Sequence, residues 1–381
     1  MASERFELLI VGAGPAGCAA GIEAAKAGLR VGVLDRATFP RPKTCGDAVS
    51  NRAAALIDRL VGQPDVLRSV PHAEVKAGAA VFPDGARVVR PLQSAFIVPR
   101  LHLDDLLRTA LERSGATLRQ GVAVRRLRMD GEQVVGAEAD GVRFEADAVI
   151  AADGPGSLAW ATLKQPYRRG VHLGVAITAY HEGVDMGDQE HVSEHYFEPG
   201  LDAGYGWVFP PVDGVANIGV YQRVDRFKAH ADGLYALLSR FIARHPERLG
   251  RSRRVGRARR WALPLMSRPW PPAGPGLLTC GDAAFCIDPL SGEGIFQALH
   301  SGALAGRTAA AALARRGIDR TVALRYRMRC AATMGVTSVA RLAIQEGMTH
   351  VVRRRWYQHP GLRALLHRGY GSQAFEVSKR V

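Results

Sequence analysis

Apolar residues run along this chain in two rhythms. Short apolar runs, Leu8–Val11, Val31–Leu34 and Gly276–Cys280, together with the apolar end of Val142–Ala151, are each stopped by Gly or Asp, as buried parallel strands are. Helical spacing appears in the Ala-rich segment after Gly17, in Leu101–Ser114 with Leu103, Leu106, Leu107, Ala110 and Leu111 on one face, and in Leu234–Ile242, Ser291–Arg316 and Thr321 to about Val352. A further helix runs to about Leu60, with Asp47 as its predicted cap. Glu74–Arg90 reads as a hairpin turning at Pro83-Asp84-Gly85. Strands are predicted at Thr117–Arg119, Val122–Met129, Val134–Ala139 and Val142–Ala151, and Arg253–Pro264 is extended. Val171–Val220 is β-rich and antiparallel in character.

The first strand meets Gly12, Gly14 and Gly17 at once, and the second ends in Asp35. In a strand-turn-helix Gly12 permits the tight turn, Gly14 admits a pyrophosphate to the backbone, and Gly17 lets helix and strand touch. The helix N-terminus supplies free N–H groups and partial positive charge. Asp35 suits a ribose hydroxyl, so a dinucleotide is expected. Gly276–Leu299 carries a second motif: a strand delivers Gly281-Asp282, and a turn with Pro289, Gly292 and Gly294 opens a long helix. Asp282 suits a polyol, and the helix start suits a ring edge that becomes anionic on reduction. Both needs are met by FAD.

The predicted fold class is therefore α/β: a Rossmann-type FAD-binding domain interleaved with a β-rich substrate domain, followed by a helical C-terminus. The FAD-binding domain takes residues 1–73, 98–165 and 270–320, the substrate domain 74–97 and 166–269, and the C-terminal region 321–381. The loop Ala37–Ser50 is long for a strand-to-helix connection, as functional loops often are.

Gly12-Ala13-Gly14-Pro15-Ala16-Gly17, Lys43-Thr44-Cys45-Gly46-Asp47, Arg100, Asp153-Gly154, Gly281-Asp282 and the stretch Gly204–Val220 together resemble the geranylgeranyl reductases, within the FAD enzymes built like p-hydroxybenzoate hydroxylase. The resemblance covers residues 6–315 in pieces. It implies that Gly12, Gly14, Gly17, Asp35 and Arg100 hold the ADP half of FAD and Asp282 the ribityl chain. Gly292 and Gly294 would bring backbone N–H groups to the isoalloxazine, with Asp153 and Gly154 near the pyrophosphate and any incoming nicotinamide. Pro15, Ala16, Arg36, Cys45, Gly46, Pro289 and Ile295 complete the candidate cofactor contacts. One departure stands out: where the family has Asp-Gly-x-x-Ser-x-x-Arg, Ser157 is followed by Leu158, Ala159 and Trp160.

Cys45, Tyr205 and Trp207 are the catalytic candidates. Tyr205, Trp207 and Phe209 alternate at strand period and share a face. Those rings either line an apolar pocket, where they would stabilise a cationic intermediate, or pack the core. Cys45 is either a substrate-side proton donor or an inert thiol, and Lys43 beside it is a cation able to lower its pKa. The activity this implies is reduction of C=C bonds in an apolar isoprenoid-type substrate. An FAD monooxygenase (hydroxylase, or less readily halogenase) and an accessory flavoprotein acting on a partner protein are the alternatives. The halogenase pattern Trp-x-Trp-x-Ile-Pro is not matched by Tyr205-Gly206-Trp207-Val208-Phe209-Pro210. With no second glycine fingerprint, electrons come from a transient NAD(P)H visit or an electron-transfer partner protein.

The net charge of +15 changes this picture little, because only six of 51 basic residues are lysine and the arginines are spread throughout. They are not interleaved with stacking aromatics, so no nucleic-acid role is expected. Arg251–Arg260 is a candidate protein contact. Arg353–Arg355 beside Trp356 reads as a solvated helix end or as a peripheral contact with an anionic membrane. Five cysteines lack zinc-like pairing, so no metal site is predicted and a reducing cytoplasm fits. Neither a signal peptide nor a transmembrane run is predicted.

Overall fold

Two eight-stranded sheets organise the molecule, and the chain crosses between them repeatedly. The computed structural model describes residues 3–227, 233–268 and 270–369; the last part of the predicted C-terminal region, 370–381, lies outside the described residues. The first sheet begins with β1 (Ser3–Val11), α1 (Pro15–Lys26) and β2 (Val31–Asp35). The chain then enters the second sheet through β3 (Ala48–Val49), α2 (Asn51–Val61), β4 (Ala73–Val81) and β5 (Arg87–Ile97). It returns through α3 (Arg100–Arg113), β6 (Thr117–Gln120), β7 (Arg126–Asp130), β8 (Gln133–Ala139), β9 (Val142–Ala151) and α4 (Leu158–Thr162). A second excursion holds β10 (Leu173–Glu182), β11 (Val192–Tyr196), β12 (Gly204–Val208), β13 (Val215–Arg223), α5 (Val224–Phe227), α6 (Gly233–Arg244), α7 (Pro246–Leu249) and β14 (Arg253–Pro264). The chain closes with β15 (Ala273–Gly274), β16 (Leu277–Thr279), α8 (Ile295–Leu313), α9 (Arg320–Cys330), a π turn at Ala331–Gly335, α10 (Val336–Arg353) and α11 (Pro360–Gly369).

Strand order in the first sheet is β15-β16-β9-β1-β2-β6, with β7 and β8 continuing from β9. Both faces are covered, which is why these strands are unbroken apolar runs. Leu8, Ile10, Val33 and Ile150 pack with α1 and α8, while Leu9, Val11, Val149 and Ala151 pack against Leu127, Val134 and Ala159 on the other side. Parallel β2 and β9 flank β1, so the chain leaves β1 in one direction and returns on the other. A crevice at that reversal, beyond the strands' C-terminal ends, is where α/β sheets bind ligands.

The second sheet runs β14-β10-β13-β12-β11-β4-β5-β3. One face is covered by α6 through Leu234, Leu237, Leu238 and Phe241. The other carries Tyr205, Trp207, Phe209 and Tyr221 and is roofed by the C-terminal helices. Gly219 lies opposite Trp207, and a Cβ there would stand 2.3 Å from the indole, so the glycine makes room for the ring.

Three local expectations are corrected. Asp47 does not cap α2: Ser50 does, its Oγ accepting from Ala53 N at 3.3 Å, because Asp47 is turned into the interior with φ +64°. The helix predicted from Ser291 begins at Ile295, because Asp288 captures the Leu290, Ser291 and Gly292 N–H groups in a loop. The strand predicted from Val122 begins at Arg126; Val122 N instead bonds the Asp35 carbonyl at 2.8 Å, crossing the end of β2. Within Val171–Val220 the pairings β10–β13, β11–β12 and β12–β13 are antiparallel as expected, and β11 adds a parallel pairing to β4.

Candidate active site

The first glycine motif sits at the strand reversal, and its three glycines have three different surroundings. Gly12 has φ +100°, and a Cβ on it would meet the Ala152 carbonyl at 2.4 Å; a Cβ on Gly17 would stand 1.8 Å from the Gly12 carbonyl. A Cβ on Gly14 meets nothing within 4 Å. The open position is also the uncapped start of α1. Free N–H groups at an uncapped helix start beside open space form an anion cradle. Asp35, buried at the end of β2, accepts from Ala13 N at 2.7 Å and Ala37 N at 2.8 Å, which ties the acid to the glycine turn. Arg36 beside it is exposed.

The second motif is brought against the first. Gly281 has φ +61°, and a Cβ there would approach Ala16 Cβ to 2.8 Å. Along α8, Gly302 and Gly306 rest on α1, where their Cβ atoms would meet the Ala16 and Ala20 carbonyls at 2.1 and 2.3 Å. The two glycine segments therefore converge on one crevice through small-residue contact between α1 and α8. Gly294 starts α8 with no side-chain cap, and Ile295 is its first residue.

Several buried polar atoms around this crevice lack hydrogen-bond partners among the described residues: Asp153 Oδ1, Trp261 Nε1, Glu293 Oε1 and Gln297 Oε1. Gly154 follows Asp153 with φ +81° and open space about its Cα. Buried polar atoms are rarely left unpaired, so this set marks where a polar ligand belongs. Burial holds the Asp153, Asp282 and Glu293 carboxyls above their ordinary range. Lys43 lies with Nζ 3.1 Å from the centre of the Trp261 ring, and burial followed by Arg100 lowers its pKa to about 7. An uncapped α1 start, an uncapped α8 start and buried polar atoms with unused hydrogen-bonding capacity fit the phosphates, polyol and ring of FAD.

Trp160 stands where the family has Arg. Its Nε1 donates to the Ala283 carbonyl at 2.9 Å, and its ring packs edge-on to Phe285 at 4.9 Å. The position thus holds the loop after Asp282 by a neutral hydrogen bond.

Arg100 is buried and bidentate to Asp104, through Nε at 2.6 Å and Nη2 at 2.9 Å; Arg41 reaches the same carboxylate at 3.2 Å. Its guanidinium also faces the Cys45 sulfur. The Cys45 thiol is nonetheless raised in pKa, because burial outweighs the nearby Arg100 cation. Gly46 packs under the aromatic row, where a Cβ would stand 3.1 Å from Phe209 and 3.7 Å from Trp207 Nε1.

A network that the sequence did not reveal holds this junction. Asp47 Oδ2 accepts from Tyr180 OH at 2.6 Å and Asn217 Nδ2 at 2.7 Å, and Oδ1 accepts from Arg100 N at 3.3 Å. Asn217 Nδ2 also donates to the Cys45 carbonyl at 2.8 Å, and its Oδ1 accepts from Trp207 Nε1 at 2.9 Å. Burial raises Asp47 to a pKa of about 6 against these donors. The only signal that Tyr180 and Asn217 carry in the sequence is a polar group within a largely apolar strand. Tyr205, Trp207 and Phe209 do share a face, with centroids 6.2 and 6.1 Å apart in sequence order. Tyr205 OH donates to the Ser291 carbonyl and lies 3.0 Å from a Cβ placed on Gly292. The aromatic row thus reaches from the Cys45 loop to the start of α8.

The FAD binding domain family matches residues 5–198. A menaquinone reductase of Mycolicibacterium smegmatis is 33% identical over 79% of this chain and 75% of its own. Digeranylgeranylglycerophospholipid reductase 1 of Methanopyrus kandleri is 31% identical over 81% of each. A solved geranylgeranyl bacteriochlorophyll reductase-like protein of Thermoplasma acidophilum shares the fold, with a TM-score of 0.82 at 24% identity over 91% of this chain and 88% of that one. With the glycine cradle, the converging second motif and these likenesses together, the chain belongs to the FAD-binding oxidoreductase family that includes the menaquinone and digeranylgeranylglycerophospholipid reductases.

Proposed function

We propose that the protein saturates a C=C bond in the isoprenoid chain of an apolar lipid, with a quinone tail as the leading candidate. The observation that carries the reading is the aromatic row, buried between the Cys45 loop and the start of α8 in a chain one third identical to a menaquinone reductase. FAD, when bound, supplies the hydride equivalent.

Gly12, Gly14, Pro15, Ala16, Gly17, Asp35 and Arg36 bind the ADP half, with Arg100 anchoring the neighbouring loop from its pair with Asp104. Asp153 and Gly154 lie toward the pyrophosphate, and Asp282 takes the ribityl hydroxyls. Pro289, Gly292, Gly294 and Ile295 shape the backbone that meets the ring. Tyr205 and Trp207 orient the chain and exclude water. Cys45 holds a proton at Sγ at neutral pH, and Arg100 facing that sulfur stabilises the thiolate left when the proton moves. NAD(P)H or a partner protein supplies electrons. Arg353–Arg355 and the exposed Trp356 touch the membrane that holds the substrate.

Holoprotein reduced anaerobically with NADPH, NADH or dithionite should be reoxidised by an unsaturated menaquinone, with mass spectrometry showing two added hydrogens. Cys45→Ala should slow that step by about 10²-fold while FAD stays bound. Turnover that requires oxygen, or a product with one oxygen added, would replace this reading with a monooxygenase.

A further inference from the structure

α10 has so far no part in the site, yet three of its residues, Arg341, Gln345 and Thr349, follow the i, i+4, i+8 spacing of one helical face. That face lies along the loop leading into α8. Arg341 Nη1 donates to Asp288 Oδ2 at 2.6 Å, and Asp288 is only 2% exposed. The other Asp288 oxygen takes Leu290 N at 3.0 Å, Ser291 N at 2.8 Å and Ser291 Oγ at 2.9 Å. Gln345, 3% exposed, sets its Nε2 within hydrogen-bond reach of the Pro289 carbonyl at 2.5 Å, Tyr221 OH at 3.0 Å and the Ala203 carbonyl at 3.1 Å, which share its two hydrogens. Thr349 Oγ1 accepts from Ala203 N at 2.9 Å.

The loop is held from several sides. Tyr221 OH also donates to the Pro289 carbonyl at 3.2 Å, and Tyr205 OH to the Ser291 carbonyl. With the Pro289 and Ser291 carbonyls and the Asp288 carboxylate all engaged, the peptides that follow have little freedom. They end at Gly294, the uncapped start of α8, whose N–H groups and dipole favour negative charge. A buried, fully partnered polar cluster of this kind is suited to holding one geometry.

We propose that Arg341 and Gln345 are positioning residues for the flavin: by fixing the Asp288–Gly294 loop they hold the start of α8 where it stabilises the reduced, negatively charged ring. This inference rests on the FAD-reductase reading above and adds to it a role for the C-terminal helix.

The test uses FAD-loaded full-length protein and the variants Arg341→Met, Arg341→Lys and Gln345→Leu. FAD content, visible spectrum and midpoint potential against a reference dye are read for each, without substrate. Arg341→Met and Gln345→Leu should keep about one FAD per chain yet lose roughly tenfold of the preference for reduced over oxidised flavin, a fall of about 30 mV for a two-electron couple. Arg341→Lys, which keeps the charge, should recover most of it. Loaded variants with unchanged potential and spectrum overturn the inference alone, whereas a wild-type chain that takes up no FAD overturns the reading beneath it as well. If Arg341→Met does not fold, Gln345→Leu decides the matter by the same readout.

Discussion

Asp47 shows how much one buried acid does here. It is 1% exposed, sits at φ +64°, and receives donors from β10, β13 and the start of α3. Its folded pKa of about 6 lies above the ordinary 3.8 because burial dominates the Tyr180 and Asn217 hydrogen bonds. The folded state thus holds this proton more tightly than the unfolded chain, so the contribution is complete below about pH 4 and is lost as pH rises through about 6. A gap of that size corresponds to about 3 kcal/mol. Asp47→Asn should flatten the dependence of Tm on pH between those limits, as measured by thermal melts across a pH series. Cys45 and Arg100 were visible in the sequence as candidate site residues and Asp47 as a helix cap within the same motif, but not the partners of Asp47, since nothing local places Tyr180 or Asn217 beside residue 47.

Among the elements, the crossing of α1 and α8 decides whether there is a cofactor site at all. The strand-Gly-helix pattern made each segment legible from its own residues, because turn geometry and apolar run length are local properties. Their contact was not legible: Gly302 and Gly306 look like ordinary helix interior until Ala16 and Ala20 lie beneath them. Gly302→Val should therefore part the helices, costing roughly 3 kcal/mol in denaturant melts and weakening FAD retention. Gly347 on α10 has open space about its Cα, so Gly347→Ala should instead be neutral or stabilise by up to about 1 kcal/mol. The start of α8 shows the same division, since the helical pattern ran on through Ser291 while the buried Asp288 holds that turn as a loop.

At the scale of the whole molecule, the aromatic face of the second sheet is closed by a part of the chain that the family resemblance did not reach. Tyr357, 1% exposed, stacks on Phe82 with centroids 4.7 Å apart and planes 12° from parallel. Met348, Val352 and Leu366 pack on the same cluster. Removing the stacked ring should loosen this roof: Tyr357→Ala is expected to cost about 3 kcal/mol and to raise binding of a hydrophobic fluorescent dye. Among the described residues no helix is long and apolar enough to cross a membrane. The C-terminal helices cover the aromatic face from outside either sheet, together with the Cys45 loop and the loop before α8.

Read alone, the sequence determined the two glycine motifs, the buried parallel strands that deliver them and the alternating aromatics. These follow from periodicity and backbone sterics, which act over a few residues. Only the tertiary structure decided that α1 and α8 touch, that Asp47 faces Tyr180 and Asn217 rather than a helix end, and that Arg341 and Gln345 brace the loop before α8. Each of those joins residues far apart in the chain, and a polar side chain carries no local sign of whether it meets water or a buried partner.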